Sequence, residues 1–394
     1  GLYYGFILLF IGTMLGMVFS RDLIGLYLFF ELSTLTSAIL VAHNRPVGVE
    51  ASYKYFIMSV GGSIFALAGV LLLYGATGTL IVAEIPKRLA TSTTLLLGGS
   101  AINLTMAVSA SVIIGFGVKA GLVPFHAWLP DAHAEAPAPI SAILSGAMIK
   151  TGAYAMALLL FAVAIVSTVF FQRFMAVVMY LAVISMVVGI LMAIAQTDVK
   201  RLLAYHSVSQ MGYVLLGIGI ASHLGITGGL FHLLNHSIFK ALLFLAAGNI
   251  LLQAGTRDMQ RLGGLGKRMP ITASSFLIGS LAMAGVPPFN GFWSKWFIFW
   301  AGVEGGHPEL IIFTVIAVVV SFLTLACMVK ASRMIFFGEL PKRCENVKEA
   351  PIWMTGPTMV LSFLCILIGI YPDSAMMIIN PAVKVLESIA GVGS

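Results

Sequence analysis

The sequence predicts an all-α polytopic membrane protein, on the basis of its composition and the spacing of its apolar segments. Hydrophobic residues make up 59% of the 394 residues and charged residues only 9%. A soluble domain is about half apolar and about a quarter charged, so this chain has too few charges to cover a surface in water. Cutting the chain at charged and Pro/Gly-rich connectors leaves about eleven segments long enough to span a bilayer, at 3–20, 22–42, 50–76, 95–123, 138–168, 174–196, 201–221, 225–253, 271–302, 309–332 and 352–371.

Lysines and arginines in the connectors predict the orientation of these segments. If the connectors alternate between the two sides of the membrane, one side receives five basic residues and the other receives eleven. The positive-inside rule places the richer side in the cytoplasm, so the chain as given starts inside and ends outside. The same rule explains the net charge of +7 better than a nucleic-acid partner does, because the basic residues are scattered among the loops. The poorer side receives Arg21, Lys87, Arg88, Arg173 and Lys384, and the richer side receives Arg45, Lys200, Arg201, Arg257, Arg261, Lys267, Arg268, Arg333, Lys342, Arg343 and Lys348.

The cysteines give no sign of a metal or redox centre in this chain. Cys327, Cys344 and Cys365 lie far apart, without a CxxC pair or a Cys/His spacing typical of a ligand set. We therefore expect free thiols in or beside helices, and no iron–sulfur, zinc or haem site in this chain.

A short motif occurs twice and predicts an internal repeat. AGLVPFHAW at 120–128 resembles AGVPPFNGFW at 284–293, and Pro124 matches Pro288, 164 residues later. Five predicted helices separate the two copies, and an odd number reverses their direction across the membrane, which is typical of inverted-topology repeats in transporters. The sequence therefore predicts two inverted five-helix repeats and a connector with a final transmembrane helix, at 1–168, 169–337 and 338–394.

Ionisable residues inside the predicted spans are the candidate functional residues, because a charge at mid-bilayer costs about 2.5–3.5 kcal/mol on insertion scales. Of the acids, only Glu31 falls deep in a helix. Lys330 lies near a helix end, from which its side chain can reach the interface. Lys54 lies about a turn inside its helix, and both an interfacial and a functional role are open for it. The remaining lysines within the spans are Lys119, Lys150, Lys240 and Lys295.

A polar stripe follows one face of the eighth predicted helix. His232, His236 and Lys240 are spaced i, i+4, i+8, which puts two imidazoles and an ammonium on the same face. A metal site is an alternative, but no acidic or Cys ligand accompanies the histidines. A polar stripe that lines a hydrated path is the better interpretation. His206, on the preceding helix, is a further candidate.

Prolines interrupt two predicted helices close to candidate lysines. Pro124 follows Lys119, and the pair at 287–288 precedes Lys295. A proline removes a backbone donor and displaces the carbonyl four residues earlier, and inside a membrane the freed groups must meet protein or water. We interpret the two breaks as buried cavities rather than as packing kinks. Lysines that exchange protons, with histidines between them and Glu31 as a switch beside Lys119, suit a proton relay.

Four stretches resemble the antiporter-like membrane subunits shared by respiratory complex I, membrane-bound NiFe hydrogenases and related complexes, and multisubunit Mrp sodium/proton antiporters. The most specific is VKAGLVPFHAWLPDAHAEAPAPISAILSGAMIKTGAY at 118–154. The others are FFELSTLTSAIL at 29–40, DVKRLLAYHSVSQMGYVLLGIG at 198–219 and GLFHLLNHSIFKALLFLAAGNIL at 229–251. The context of Lys150 is most similar to the hydrogenase and Mrp D-type members.

The resemblance implies a fold of about fourteen helices, with inverted repeats over the fourth to eighth and the ninth to thirteenth. The segments here would be the fourth to fourteenth, and we expect an N-terminal part to be missing, because the chain begins at Gly1 without an initiator Met. The resemblance also implies that Glu31 pairs with Lys119. The relay residues that it implies beyond this pair are Lys150, His232, His236 and Lys240, with Lys295 on the exit side.

The sequence thus predicts a proton-translocating subunit without a redox centre of its own, in a complex driven by electron transfer elsewhere. Iron–sulfur clusters and NiFe or other redox centres are expected in partner subunits, both membrane-embedded and peripheral. The chain is expected to be a multi-pass protein of a prokaryotic cytoplasmic (inner) membrane, in contact with lipid. Two alternatives stay open: a subunit of an Mrp-type secondary Na+/H+ antiporter without redox coupling, and a static scaffold whose lysines are structural.

Overall fold

The computed structural model describes residues 1–43, 46–89, 94–97, 100–164 and 168–390, and these form a bundle of helices with one short antiparallel ribbon. The helices are α1 (Leu2–Phe19), α2 (Leu23–Val41), α3 (Val47–Thr77), α4 (Ile85–Leu89), α5 (Leu104–Ala120), α6 (Trp128–Glu135), α7 (Ala138–Ile143), α8 (Ile149–Val163), α9 (Thr168–Ile194), α10 (Val199–Ile220), α11 (His223–Ala254), α12 (Pro270–Ala284), α13 (Gly291–Glu304), α14 (Pro308–Phe336), α15 (Ile352–Ile370) and α16 (Asp373–Ala390). The strands are β1 (Thr94–Leu97) and β2 (Ser100–Asn103).

Eight helical segments in the described part of the chain are long and apolar enough to cross a membrane. They are α1, α2, α3, the continuous stretch Ala138–Val163, most of α9, α11, α14 and α15. The other three predicted segments correspond to α5, α10 and the pair α12–α13. The helices α5 and α12 are short because a break follows each of them, and α10 carries several polar residues. The all-α, polytopic membrane architecture is confirmed.

Two boundaries differ from the prediction. The fourth segment was expected from residue 95, but α5 begins at Leu104, and the preceding residues pair as strands with Thr94 opposite Asn103. Half of the eight strand residues are Leu or Ala, which are good helix formers, so the pairing of the two strands and not helix propensity accounts for this outcome. The structure also adds α16, which hydropathy alone misses because polar residues interrupt its apolar ones: Ile379 and Val383 are buried while Lys384 is exposed. The predicted loop residue Arg45 and residues 165–167 at the end of the fifth segment lie outside the described residues.

The helices α2 and α10 begin in the same way. Asp22 caps α2 by accepting a hydrogen bond from the Gly25 amide at 2.7 Å, and Asp198 caps α10 by accepting one from the Lys200 amide at 2.8 Å. Each capping residue also forms an isolated antiparallel bridge, Asp22 with Ile81 and Asp198 with Asp258. The division of the chain into two repeats stays a prediction, and this pair of matched junctions is a local similarity that the structure adds to it.

Both predicted helix breaks are present. The chain leaves α5 at Ala120 and re-enters a helix at Trp128, and it leaves α12 at Ala284 and re-enters at Gly291. Protein groups bind the backbone at the first break: the Trp128 indole donates to the Val118 carbonyl at 2.9 Å, and the Val123 amide donates to the Ser185 hydroxyl at 2.9 Å. The backbone groups freed inside the bundle therefore find protein partners, as they must in a membrane.

Charged side chains lie inside the bundle while large apolar side chains cover its outside. Lys119 and Lys240 are fully buried, whereas Phe322 is 67% exposed and Trp300 is 53% exposed. A surface of this kind is unfavourable in water, because the exposure of contiguous apolar area carries a cost there. In a bilayer, the same distribution puts apolar side chains against lipid and polar groups against one another.

Candidate functional site

Lys119, at the end of α5, reaches across to α2. Its ammonium donates to the Phe30 carbonyl at 2.8 Å, to the Ser33 hydroxyl at 2.5 Å and to the Thr34 hydroxyl at 2.8 Å. The ammonium also lies 4.1 Å from the centre of the Phe30 ring, where a cation is attracted by the aromatic face. Three oxygens and a ring therefore solvate a fully buried ammonium.

Glu31 belongs to the same turn of α2 but forms no ion pair with Lys119 among the residues that the structure describes. Its Oε1 atom is buried and has no hydrogen-bond partner in the protein. The residues that bind the Lys119 ammonium, Phe30, Ser33 and Thr34, flank Glu31 in the chain. The pairing implied by family resemblance is therefore a proximity in this conformation and not a salt bridge.

Hydroxyl groups lead from Lys119 towards α8. Ser33, which binds Lys119, accepts a 2.5 Å hydrogen bond at its carbonyl from the Ser37 hydroxyl. Ser37 and the Tyr55 hydroxyl lie 2.7 Å apart, and the Tyr55 hydroxyl donates to the Met148 sulfur at 3.3 Å. Met148 closes the π-helical turn Leu144–Met148 that precedes Lys150.

Hydrogen bonds of two serines and two backbone carbonyls occupy the space between Lys150 and Lys240. The Lys150 ammonium donates to the Ser145 carbonyl, and the Ser145 and Ser207 hydroxyls lie 2.8 Å apart. The Ser207 hydroxyl donates to the Leu203 carbonyl at 3.2 Å, and the same carbonyl accepts a 2.6 Å hydrogen bond from the Lys240 ammonium. The series crosses from the first predicted repeat into the second.

The histidines of α11 continue this line. The Nδ1 atom of His232 lies 2.9 Å from the Ser294 hydroxyl, and its Nε2 atom lies 3.1 Å from the side-chain amide oxygen (Oε1) of Gln210. The ring centres of His232 and His236 lie 6.3 Å apart and nearly parallel. His236 lies one turn from Lys240 on the same face, so the predicted polar stripe is present and buried.

Lys295 binds the end of the broken helix α12. Its ammonium donates to the Met283 carbonyl at 3.0 Å, the Ala284 carbonyl at 3.2 Å and the Ser321 hydroxyl at 2.9 Å, and it lies 4.5 Å from the centre of the Tyr213 ring. The two lysines beside the breaks therefore differ: Lys119 binds a neighbouring helix, and Lys295 binds the carbonyls that its own break exposes. A groove of about 250 Å³ adjoins Lys295.

Several buried imidazoles have no protein hydrogen-bond partner. Both ring nitrogens of His206 and of His236 are unpartnered, and so are those of His133. Buried polar groups are normally hydrogen-bonded, and internal water is the usual partner where protein groups are lacking. His206 adjoins Ser207 in the chain, and all three rings are fully buried.

His133 is a candidate that sequence reasoning missed. Its ring stacks on Phe244 with the centres 4.7 Å apart, and the Lys240 ammonium lies 6.0 Å from the centre of the same Phe244 ring. His133 thus faces the stripe of α11 from α6. The sequence around it, LPDAHAEAP at 129–137, resembles a loop after the break, so His133 was not singled out. A titratable residue within the most specific motif was the signal that could have found it.

Lys200 corrects the assignment of the connector before α10. The sequence placed it in a cytoplasmic loop, but its side chain is buried and donates to the Ala134 carbonyl at 3.1 Å and the Ala136 carbonyl at 2.5 Å. Arg257 donates to the Ala134 carbonyl at 2.5 Å and pairs with Glu135 at 2.6 Å. Lys200 and Arg257 both bind the C-terminal end of α6, where cations are favourable. This explains why the Lys200 side chain is buried.

Lys54 and Lys330 both lie towards the outside of the bundle. Lys54 is half exposed, lies 2.8 Å from Glu50 in an ion pair one turn away, and lies 3.6 Å from Asp131. Lys330 is exposed and reaches the Ile194 carbonyl at 3.4 Å. Neither joins the buried line. In the described residues, no group of three His, Cys, Asp or Glu side chains is placed to hold a metal ion.

Together these features define a class: a multi-pass membrane protein whose bundle encloses a line of ionisable side chains from α2 to α13. The chain belongs to the family described as NADH:quinone oxidoreductase/Mrp antiporter, TM, which matches residues 20–324. It is therefore an antiporter-like membrane subunit of the kind found in complex I, hydrogenases and Mrp antiporters.

Relatives from all three kinds of complex are similar to this chain. It is 34% identical to hydrogenase-4 component B of Escherichia coli over 387 residues, which cover 93% of this chain and 56% of the relative. It is 32% identical to NADH-quinone oxidoreductase subunit N of Desulforudis audaxviator over 385 residues, which cover 95% of this chain and 75% of the relative. A chain in the structure of the Mrp complex from Dietzia sp. superposes with a TM-score of 0.83 at 28% identity, covering 98% of this chain and 77% of that one. The chain spans only 56% of the Escherichia coli relative.

Proposed function

We propose that this chain moves protons through the buried line of Glu31, lysines and histidines, as a subunit of a redox-driven membrane complex. The observation that carries the proposal is the hydrogen-bonded series from Lys150 through Ser145, Ser207 and Leu203 to Lys240. A structural lysine needs only local acceptors. Serine hydroxyls between two buried lysines on different helices also suit proton exchange, whereas the two carbonyls in the series only accept hydrogen bonds and orient the lysines.

Each group in the line has a chemical role in this proposal. Lys119 holds a proton on the three oxygens that α2 presents. Glu31, which flanks those oxygens in α2 and has a buried Oε1 atom, acts on Lys119 as a nearby negative charge and favours its charged form. His232, His236 and His206 exchange protons between the lysines, because imidazole can act as donor or acceptor near neutral pH. Lys295 is the last group, and its ammonium is held by the open end of α12.

Electron transfer in partner subunits would drive these steps, since we expect no redox centre in this chain. The similarity to hydrogenase-4 component B and to NADH-quinone oxidoreductase subunit N supports a redox-driven complex. In that case, iron–sulfur clusters and NiFe or other redox centres lie in partner subunits. We propose that the complex lies in a prokaryotic cytoplasmic membrane.

A secondary Na+/H+ antiporter is the second candidate, supported by the similarity to a chain of the Mrp complex. The two functions differ in what starts proton movement. In vesicles that carry the intact complex, the redox-driven function predicts proton translocation on addition of an electron donor, whereas the antiporter predicts it on addition of Na+ alone.

Substitution of Lys119 tests the relay itself. In vesicles that carry the intact complex, Lys119→Ala is expected to abolish proton translocation, and Lys348→Ala, which removes an exposed lysine, is expected to leave it near the wild-type rate. Undiminished translocation by Lys119→Ala would overturn the relay. Glu31→Gln is expected to weaken translocation while the complex still assembles, and failure to assemble would indicate a structural role for Glu31.

A further inference from the structure

Two adjoining grooves lie on the outside of the bundle where α12 begins and α14 ends. The first has a volume of about 870 Å³, runs between the start of α12 and the end of α14, and carries Lys267 and Arg268. The second has a volume of about 620 Å³, follows the last turns of α14, and carries Lys330 and Arg333. Phe337 lines both grooves and is 56% exposed.

Charge and apolar surface are separated along the membrane normal in both grooves. Lys267 and Arg268 precede the first residue of α12, while Leu277 lies two turns inside that helix. In the second groove, Arg333 lies in the last turn of α14, and Ala326 lies about two turns deeper. The cations therefore stand at the end that positive-inside counting assigns to the cytoplasm, and the apolar walls extend into the bilayer.

The four cations form no salt bridge within the part of the chain that the structure describes. Lys267, Arg268 and Arg333 are exposed, and Lys330, also exposed, donates a hydrogen bond to the Ile194 carbonyl at 3.4 Å. Glu339, in the turn after α14, is an exposed acid near the rim and leaves a clear excess of positive charge. An anionic group is the complement of this rim.

We propose that the two grooves form a binding site for an anionic phospholipid of the cytoplasmic leaflet. Its phosphate binds between the Lys267–Arg268 pair and the Lys330–Arg333 pair, and its two acyl chains lie in the grooves on either side of Phe337. In a phospholipid the charged head group lies at the membrane surface and the acyl chains lie deeper, which matches the cations at the ends of the grooves and their apolar walls. Basic pockets between transmembrane helices on the cytoplasmic side are the kind of site that recognises anionic head groups.

The site does not depend on the proton line, so it can be tested separately from transport. The delipidated, intact complex is titrated in detergent with dioleoylphosphatidylglycerol or with dioleoylphosphatidylcholine, and bound lipid is counted by native mass spectrometry. We expect the double variant Arg268→Gln/Arg333→Gln to bind phosphatidylglycerol about 10-fold more weakly than the wild type, because each cation near the surface contributes to anionic-lipid binding. Phosphatidylcholine is expected to bind weakly to both.

A matched control removes two exposed lysines from the same side of the membrane. Lys342 and Lys348 lie in the connector after α14 and line neither groove, so Lys342→Gln/Lys348→Gln is expected to bind phosphatidylglycerol as the wild type does. The proposal is overturned if this control loses as much binding as the groove variant, if the groove variant loses none, or if phosphatidylcholine binds equally well.

Two further measurements separate the parts of the site. Glycerol phosphate, a head group without acyl chains, is expected not to displace phosphatidylglycerol at equal concentration, and displacement would indicate a site for free phosphate instead. Leu277→Trp fills the first groove without changing charge and is expected to weaken binding. If the double variant fails to assemble, Arg333→Gln alone gives the test, with an expected loss of about 3-fold or more.

Discussion

Lys119 donates a hydrogen bond to the carbonyl of Phe30, the residue that precedes Glu31, over a distance of 2.8 Å. The lysine is thus bound to the backbone of the helix that carries the acid rather than to the acid itself. A movement of α2 relative to α5 would change the distance from the Glu31 carboxylate to the ammonium and the number of oxygens that bind it. The Glu31 switch that we propose therefore depends on helix position.

The hydroxyls that bind Lys119 are the first test of this arrangement. We expect Ser33→Ala/Thr34→Val to lower proton translocation at least 10-fold, because hydrogen bonds to a charged group are worth about 1.5–3 kcal/mol each and two are lost. Thr13→Val is the control, since the buried Thr13 hydroxyl donates within its own helix to the Phe10 carbonyl at 2.7 Å. Equal rates in the double variant and the control, measured in vesicles, would contradict the role of these hydroxyls.

The serine pair between the two halves gives the second prediction. Ser207→Ala is expected to slow translocation several-fold while the complex assembles normally, because the two neutral hydrogen bonds that are lost contribute only about 0.5–1.5 kcal/mol each to stability. Ser209→Ala is a matched control: Ser209 is also fully buried on α10, but it donates to the Met186 carbonyl at 3.0 Å, away from the line. If both variants slow translocation equally, the serine pair is not part of the path.

His133 provides the third prediction. We expect His133→Gln to reduce translocation strongly with an unchanged unfolding temperature, because the glutamine side chain can occupy the space beside Phe244 but cannot exchange a proton as imidazole does. His223→Gln is the control, since the His223 side chain is 66% exposed and pairs with Glu387 at the surface. A His133→Gln variant with full translocation would exclude His133 from the relay.

Arg257 gives a prediction for stability. Its side chain is 32% exposed, pairs with Glu135 and Asp198, and binds the end of α6. Arg257→Ala is expected to destabilise the protein by about 1–3 kcal/mol, because two partly buried carboxylates lose their ion pairs with Arg257 and the end of α6 loses one of its two cations. The exposed ion pair of Arg261 with Asp258 should contribute little. Thermal unfolding in detergent compares the two alanine variants, and equal midpoints would contradict the role of Arg257.

The predicted orientation can be tested by cysteine labelling. The three native cysteines are buried, so a cysteine introduced at an exposed position should be the main site of reaction with a membrane-impermeant maleimide. Lys348→Cys is expected to react only from the cytoplasmic side, and Lys384→Cys only from the opposite side. Labelling of both from one side would show that the connectors do not alternate as the sequence predicts.

Much of the fold could be predicted from particular residues. The run of apolar segments and the prolines at 124 and 288 predicted the spans and the two breaks, because hydropathy and the missing proline donor are local properties. Strand formation before Leu104 and the extra helix α16 were not predictable in this way. Both depend on a pairing or a buried face that neighbouring elements provide.

The sequence by itself determined which residue types lie in the membrane: Glu31, the buried lysines and the stripe on α11 follow from composition and helical spacing. Only the tertiary structure decided what each one contacts. Lys119 binds α2 and not Glu31, Lys200 is buried under α6, and Ser145 meets Ser207 across the two halves. The reason is physical: burial and periodicity are encoded along one helix, whereas a hydrogen-bond partner is set by the packing of helices distant in the chain.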